Sequence, residues 1–212
     1  MKERPILFSA PMVRAILAGT KTQTRRALRV QPPPATFQVS TWHHPNPRPH
    51  FYAWEQPSGL ESVQIAAGWC YPCPYGQTGD RLWVRETWGY DWYDDGQSKA
   101  WKRPVYRADI GAQPLDNGEP TPWKPSIHMP RCVSRITLAI TGVRVERLRD
   151  INEEDAQAEG AERVDPVWPI PHSRETCRAS HRAGFRQLWQ SINGADSWDA
   201  NPWVWVVEFE QA

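Results

Sequence analysis

The chain has 212 residues and a formal net charge of +1. That length suits one domain, spanning 1–212, with insertions and a real core. The near-neutral charge excludes the global basic field of a sequence-independent DNA binder, and no apolar run reaches the roughly 18 residues of a membrane span. The outliers are 21 prolines and 13 tryptophans, which predict long irregular loops around a tryptophan-rich core. Met1-Lys2-Glu3-Arg4-Pro5 is charged, and no signal-peptide apolar region follows it. A cytoplasmic protein with reduced thiols at Cys70, Cys73, Cys132 and Cys177 is expected.

The first predicted element is a helix. Ser9 can cap it, Pro11 stands near its first position, and Met12, Val13, Ile16 and Leu17 form its apolar face. Gly19 can take the left-handed C′ position, and residues 21–30 read as a strand. From about 31 to 77 the prolines exclude a long helix, which predicts an insertion with one short hairpin near Phe51–Trp54. Thr78-Gly79-Asp80 is a turn before a strand over 81–88, with Leu82 and Val84 on one face. Residues 89–125 are polar with a short strand at Val105–Arg107. A longer β stretch over 135–148 breaks at Gly142. Asn152 caps a helix that Gly160 ends, with Asp155 in the capping-box position. A second insertion covers 161–179. The helix Ser180–Ile192 presents Phe185, Leu188, Trp189 and Ile192 at i, i+3, i+4 and i+7. Trp203–Glu210 closes the pattern as a strand. Short strands with three or so helices predict a fold that is α+β and mainly β, a small mixed barrel with two long irregular insertions.

The chemistry-bearing stretch is Gly19-Thr20-Lys21-Thr22-Gln23-Thr24-Arg25-Arg26. Lysine and arginine offer fixed donors, and threonine can donate, accept or attack. An aggregation-blocking edge strand is the competing explanation. Cys70-x-x-Cys73 with Cys177 and His181 is a possible zinc set, although two prolines around Cys73 equally suit a turn. His43 and His44 lie in a proline-rich loop. Trp83, Trp88 and Trp123 are either core residues or stacking platforms. Asp91, Asp94 and Asp95 read as a solvated loop.

Several segments, in this order, resemble the ASCH domain family of the PUA-like superfamily. They are Arg4-Pro5-Ile6-Leu7-Phe8-Ser9, the 19–26 stretch, Gly79-Asp80-Arg81-Leu82-Trp83-Val84-Arg85-Glu86, Pro125–Pro130, Asp155–Gly160 and Asn201–Phe209. The chain is most similar to the longer bacteriophage and prophage versions. The resemblance implies a PUA-like β pseudobarrel in the cytoplasm of a bacterial or phage-infected cell. It also implies a link to RNA and modified nucleosides. Small bacterial members are amidohydrolases of N4-acetylcytidine with the motif Gly-x-Lys-Thr-x-Thr-x-Arg and a later helical glutamate. Those positions fall on Lys21, Thr24, Arg26 and Glu159. The resemblance therefore implies catalysis by Lys21, Thr24 and Glu159 on a modified cytidine or related nucleotide, without cofactor or metal. Arg25, Arg26, Trp83, Glu86 and His128 are the candidate substrate contacts. A non-catalytic module that reads a modified base or RNA, and a ribonuclease, are the alternatives. In a regular strand Lys21 and Thr24 point to opposite faces, so they converge only if the chain after Gly19 is not yet regular.

Overall fold

The computed structural model describes residues 1–32, 38–42, 51–56, 64–94, 100–111, 123–165 and 179–212. Its centre is a five-stranded sheet in the order β1 (Glu3–Leu7), β6 (Arg81–Arg85), β9 (Thr137–Arg147), β10 (Trp203–Gln211), β2 (Gln23–Ala27). β1 runs parallel to β6 and the other pairings are antiparallel. β10 is central and is buried on both faces. Trp203, Trp205, Val207 and Phe209 enter one apolar cluster, with Ile6, Phe8, Leu82, Val84 and Ile140, whereas Val204 and Val206 enter a second. The period of two thus distributes one strand between two cores. The protein is α+β, with four α-helices among the described residues.

α1 (Ala10–Leu17) covers the first cluster through Val13 and Ile16. Ser9 sits at its N-cap without a side-chain cap bond, while Gly19 takes φ +73°, as its position predicts. α3 (Glu153–Ala158) starts where expected, with Asn152 Oδ1 accepting from the Asp155 N–H at 2.7 Å. α4 (His181–Asn193) is capped by Ser180, whose Oγ accepts from the Ala183 N–H at 3.1 Å. α3 and α4 cover the second cluster through Ala156, Phe185 and Trp189. The break expected at Gly142 is a bulge. Ile140 pairs with Phe209 and Gly142 with Glu208, which leaves Thr141 as the extra residue.

Two regions are more ordered than the sequence suggests. The insertion holds a three-stranded antiparallel sheet of β3 (Gln38–Trp42), β4 (Phe51–Gln56) and β5 (Gln64–Pro72), not a lone hairpin. Its prolines fall between these strands or at their ends, where proline excludes helix but not pairing. The short strand expected near Val105 is one arm of a hairpin, β7 (Trp88–Asp94) with β8 (Ala100–Tyr106), followed by the single turn α2 (Arg107–Ile110). The five-stranded sheet is not a closed barrel among the described residues. It ends in two edges, β1 and β2. These edges approach each other, because Arg26 Nη2 donates to the Leu7 carbonyl at 2.6 Å. No helix of the described residues is long and apolar enough to cross a membrane.

Candidate active site

The 19–26 stretch is irregular up to Thr22, before β2 begins at Gln23. After Gly19 the chain turns back, so the Lys21 N–H donates to the Ala15 carbonyl at 3.1 Å. Lys21 then forms an isolated antiparallel bridge with Glu159, and β2 starts only at Gln23. The Thr22 N–H donates to the Ala158 carbonyl at 2.8 Å, so the end of α3 lies along this segment. Gly160 makes that approach possible. It has φ +74°, and a Cβ there would lie 3.0 Å from Ala15 Cβ and 3.1 Å from Lys21 Cβ.

Lys21 and Glu159 are 2% and 4% exposed. Lys21 Nζ donates to Glu159 Oε2 and to the Glu159 main-chain oxygen, both at 2.8 Å. Glu159 is the C-cap of α3, where its negative charge opposes the helix dipole. The lysine offsets this by satisfying both the carboxylate and a terminal carbonyl. Arg25 Nη1 holds the other carboxylate oxygen, Oε1, at 3.2 Å. Burial pushes the Lys21 amine below the ordinary lysine value. The Glu159 carboxylate opposes that fall, and Arg26 and Arg25 reinforce it. Phe8 packs under this charge, its ring 5.7 Å from Lys21 Nζ and 5.4 Å from the Arg26 guanidinium.

The two arginines of the motif have different environments. The Arg25 side chain is fully buried and is engaged by three carboxylates. Besides Glu159 it donates to Glu146 and, at 2.9 Å, to Asp155 Oδ2. Asp155 is pushed up by burial, yet Arg25 and Arg144 outweigh this and hold its carboxyl below the usual range. Arg144 closes the network through Glu146 at 3.0 Å, Asp155 at 3.0 Å and Glu208. Arg25 therefore commits four of its five donors to these carboxylates and acts as the strut of the site. Arg26 is less committed: it donates to the Leu7 carbonyl through Nη2, and its buried Nε has no acceptor among the described residues. Strand pairing explains the split. Thr24 and Arg26 lie opposite Val207 and Trp205 of the first cluster, whereas Arg25 lies opposite Val206 of the second.

Thr24 is 2% exposed and lines a cavity of about 60 Å³ beside the β2 edge, together with Glu159, Arg25, Arg26 and residues of α4. Among the described residues its hydroxyl makes no hydrogen bond. This cavity shares Met12, Glu159 and Leu188 with an open cleft of about 650 Å³ between α1 and α4. Thr24 and Glu159 thus line a cavity that adjoins an open groove, whereas Lys21, bound to Glu159, lines neither.

The remaining candidates lie elsewhere. Trp83 is buried on β6 under the Arg85 guanidinium, 4.6 Å from its ring. Glu86 is 1% exposed and fully engaged by Arg135 at 2.9 and 3.1 Å. His128 is exposed in a short 3-10 turn. None of the three lines the cavity or the cleft. Of the possible zinc set, the Cys70 side chain and Cys177 lie outside the described residues. Cys73 belongs to the first apolar cluster, and burial pushes its thiol up to about 11. His181 Nδ1 lies 2.7 Å from the Ala161 carbonyl. His43, His44, Asp95 and any role for 166–178 also lie outside the described residues.

Sequence reading did not find the residues that hold or wall the site, namely Glu146, Arg144, Met12 and the Leu188–Trp189 pair. Glu146 and Arg144 alternate in a strand like any solvated pair, and Trp189 has the spacing of an ordinary core residue. Compared with family models, curated proteins and solved structures, the chain matches none, so the geometry above carries the functional argument.

Proposed function

We propose that the protein is an amidohydrolase that removes an acyl group from the N4 amine of a modified cytosine base, nucleoside or nucleotide. The observation that carries the reading is a buried lysine–carboxylate pair, Lys21–Glu159 at 2.8 Å, whose glutamate lines the same cavity as the buried residue Thr24. The resemblance to ASCH proteins supplies the substrate class. The curled sheet, its two edges bridged by Arg26, supports reading the fold as a PUA-like pseudobarrel. A cytoplasmic location fits the same resemblance.

In the reaction, Lys21 accepts the Thr24 hydroxyl proton while Oγ1 attacks the acyl carbonyl carbon. Burial favours the neutral amine this requires. Arg26, with its unpartnered Nε, stabilises the oxyanion. The C–N bond then breaks, and the cytosine amine leaves with a proton returned through Lys21. Glu159 steadies the transient ammonium. Water hydrolyses the Thr24 ester, releasing the carboxylic acid and restoring the hydroxyl. Lysine-activated hydroxyls are a variant of triad logic. The acylation steps use side chains of this protein, and water completes the cycle.

A second reading has its own support. Lys21 Nζ bonds two oxygens of one residue and so acts as a cap for α3, which suits a structural lysine in a module that only binds a modified base or RNA. Incubation with a panel of N4-acylcytidines, with and without chelator, separates the readings. Release of cytidine and acid supports the hydrolase, intact compounds with measurable binding support the module, and RNA cleavage alone supports a ribonuclease.

A further inference from the structure

Several surface arginines of this protein meet a carboxylate: Arg103 binds Asp91, Arg131 binds Glu3, and Arg144 binds Glu146, Asp155 and Glu208. Arg14 and Arg107 meet none among the described residues, yet they line one pocket of about 410 Å³ between α1 and α2. Arg14 and the run Ser9-Ala10-Pro11 come from α1 and its entry, Thr87 from the turn between β6 and β7, and Arg107 and Gly111 from α2 and its end. No carboxylate lines the pocket. Asp109, the acid of α2, is taken by Arg135.

The two arginines are brought together by main-chain bonds. Arg14 Nη1 donates to the Ala108 carbonyl at 3.2 Å, which pins its guanidinium to the single turn that Arg107 begins. The Arg107 N–H donates to the Thr87 carbonyl at 3.0 Å, which fixes that turn against the end of β6. The Arg107 side chain is exposed and has no partner among the described residues. Ser9 does not spend its hydroxyl on capping α1. A Cβ at Gly111 would meet no atom within 4 Å, so the space beside the arginines is open. Two guanidiniums in one concavity without an acid make a site of positive potential. Their planar donors match a phosphate, and the Ser9 and Thr87 hydroxyls can donate to its remaining oxygens.

This pocket adjoins the groove of the candidate active site. Pro11 and Arg14 also line the cleft between α1 and α4, and Met12 joins that cleft to the Thr24 cavity. Ser9 and Met12 are three residues apart, about 4.5 Å along the helix axis. We infer that the Arg14–Arg107 pocket takes the phosphate monoester of a nucleotide substrate, whose base lies across α1 toward Thr24. The inference rests on the amidohydrolase reading and narrows its substrate class to nucleoside monophosphates.

The test has two arms. In the first, kcat/KM is measured for N4-acetylcytidine and for its 5′-monophosphate. Wild type favours the monophosphate by roughly tenfold or more, the scale of a charge-assisted hydrogen bond. Arg107→Ala and Arg14→Ala reduce that ratio, and Arg107→Glu abolishes it. In the second arm, calorimetry measures binding of cytidine 5′-monophosphate, cytidine and inorganic phosphate. The monophosphate binds more tightly than either, the advantage shrinks as salt is raised, and Arg107→Glu removes it. Equal kcat/KM for nucleoside and monophosphate in wild type overturns the phosphate pocket while the hydrolase stands. If no acylcytidine is cleaved but the monophosphate outbinds cytidine through Arg107, the hydrolase reading falls and the pocket stands. Inorganic phosphate that binds as tightly as the monophosphate makes this a separate anion site and overturns the proposal. A single-stranded RNA without a terminal phosphate that outbinds the monophosphate overturns it in favour of a phosphodiester chain. Should the arginine variants fail to fold, the ligand comparisons and salt dependence in wild type decide.

Discussion

Two buried glutamates, Glu159 and Glu86, are held by cations in opposite ways. Glu159 is shared between Lys21 and Arg25 beside a cavity. Glu86 is gripped by Arg135, which also holds Asp109 at 2.6 and 2.9 Å and stacks 3.9 Å from the Tyr106 ring. Burial raises the Glu86 carboxyl above its ordinary value, and Arg135 opposes this. Arginine stays protonated, so the Glu86 cluster can only hold shape. Lysine can give up its proton when desolvated, so the Glu159 cluster can hold shape and also move a proton. Burial of a charge alone therefore does not separate the two clusters; the identity of the cation and an adjoining cavity do.

The strongest way to break this contrast is to convert one cluster into the other. Lys21→Arg turns the Glu159 site into an arginine–glutamate pair and should cut acylcytidine turnover by about 10² or more, as general-base loss does. Thr24→Val should do the same, and the double variant should cost little more than either, because the two act as one unit. Assays on N4-acetylcytidine check all three, and wild-type-like turnover in Lys21→Arg removes lysine as the base.

The next effect concerns the other cluster. Glu86→Gln weakens the grip on Arg135 while leaving Asp109, so it should cost about 1–3 kcal/mol, read as a lower melting temperature. The loss should fall on stability rather than on the proton-transfer step. The pH dependence sharpens the point. Glu86 has a raised folded value, so its contribution is full below the unfolded value of about 4.3 and fades as pH rises through the folded one. Melting curves should therefore show the Glu86→Gln deficit shrinking on going from pH 4 to neutrality.

Lys21 predicts the opposite sign. Its folded value is lowered, so between that value and about 10.4 the unfolded chain binds more protons. Stability should rise with pH across that window in wild type and not in Lys21→Met. The basic form of Lys21 should also give kcat/KM a rising limb centred below the usual lysine value. A limb at or above about 10.4 contradicts the lowered amine.

The smallest expected effect tests the support of Glu159. Asn152→Ala removes the cap of α3, for about 1 kcal/mol in denaturant titration. Turnover per folded molecule should fall only slightly, because Lys21 and Arg25 still hold Glu159 in place.

Much of this was legible in the sequence. Asn152, Ser180, Gly19 and Gly160 act locally, through one cap bond or one positive φ, and each stands where its residue type predicts. The insertion was not legible, since proline advertises what it forbids and says little about which distant strands will pair.

The sequence by itself determined three helices, the strands β2, β6, β9 and β10, and the set of reactive side chains after Gly19. These depend on periodicity and local chemistry. Only the tertiary structure decided which charges meet. Lys21 and Glu159 are far apart in the chain and touch because α3 docks on the segment before β2. The same docking commits Arg25 to three carboxylates, while Arg26 Nε has no acceptor among the described residues. Pairing and burial are properties of neighbours in space, and a residue type alone carries neither.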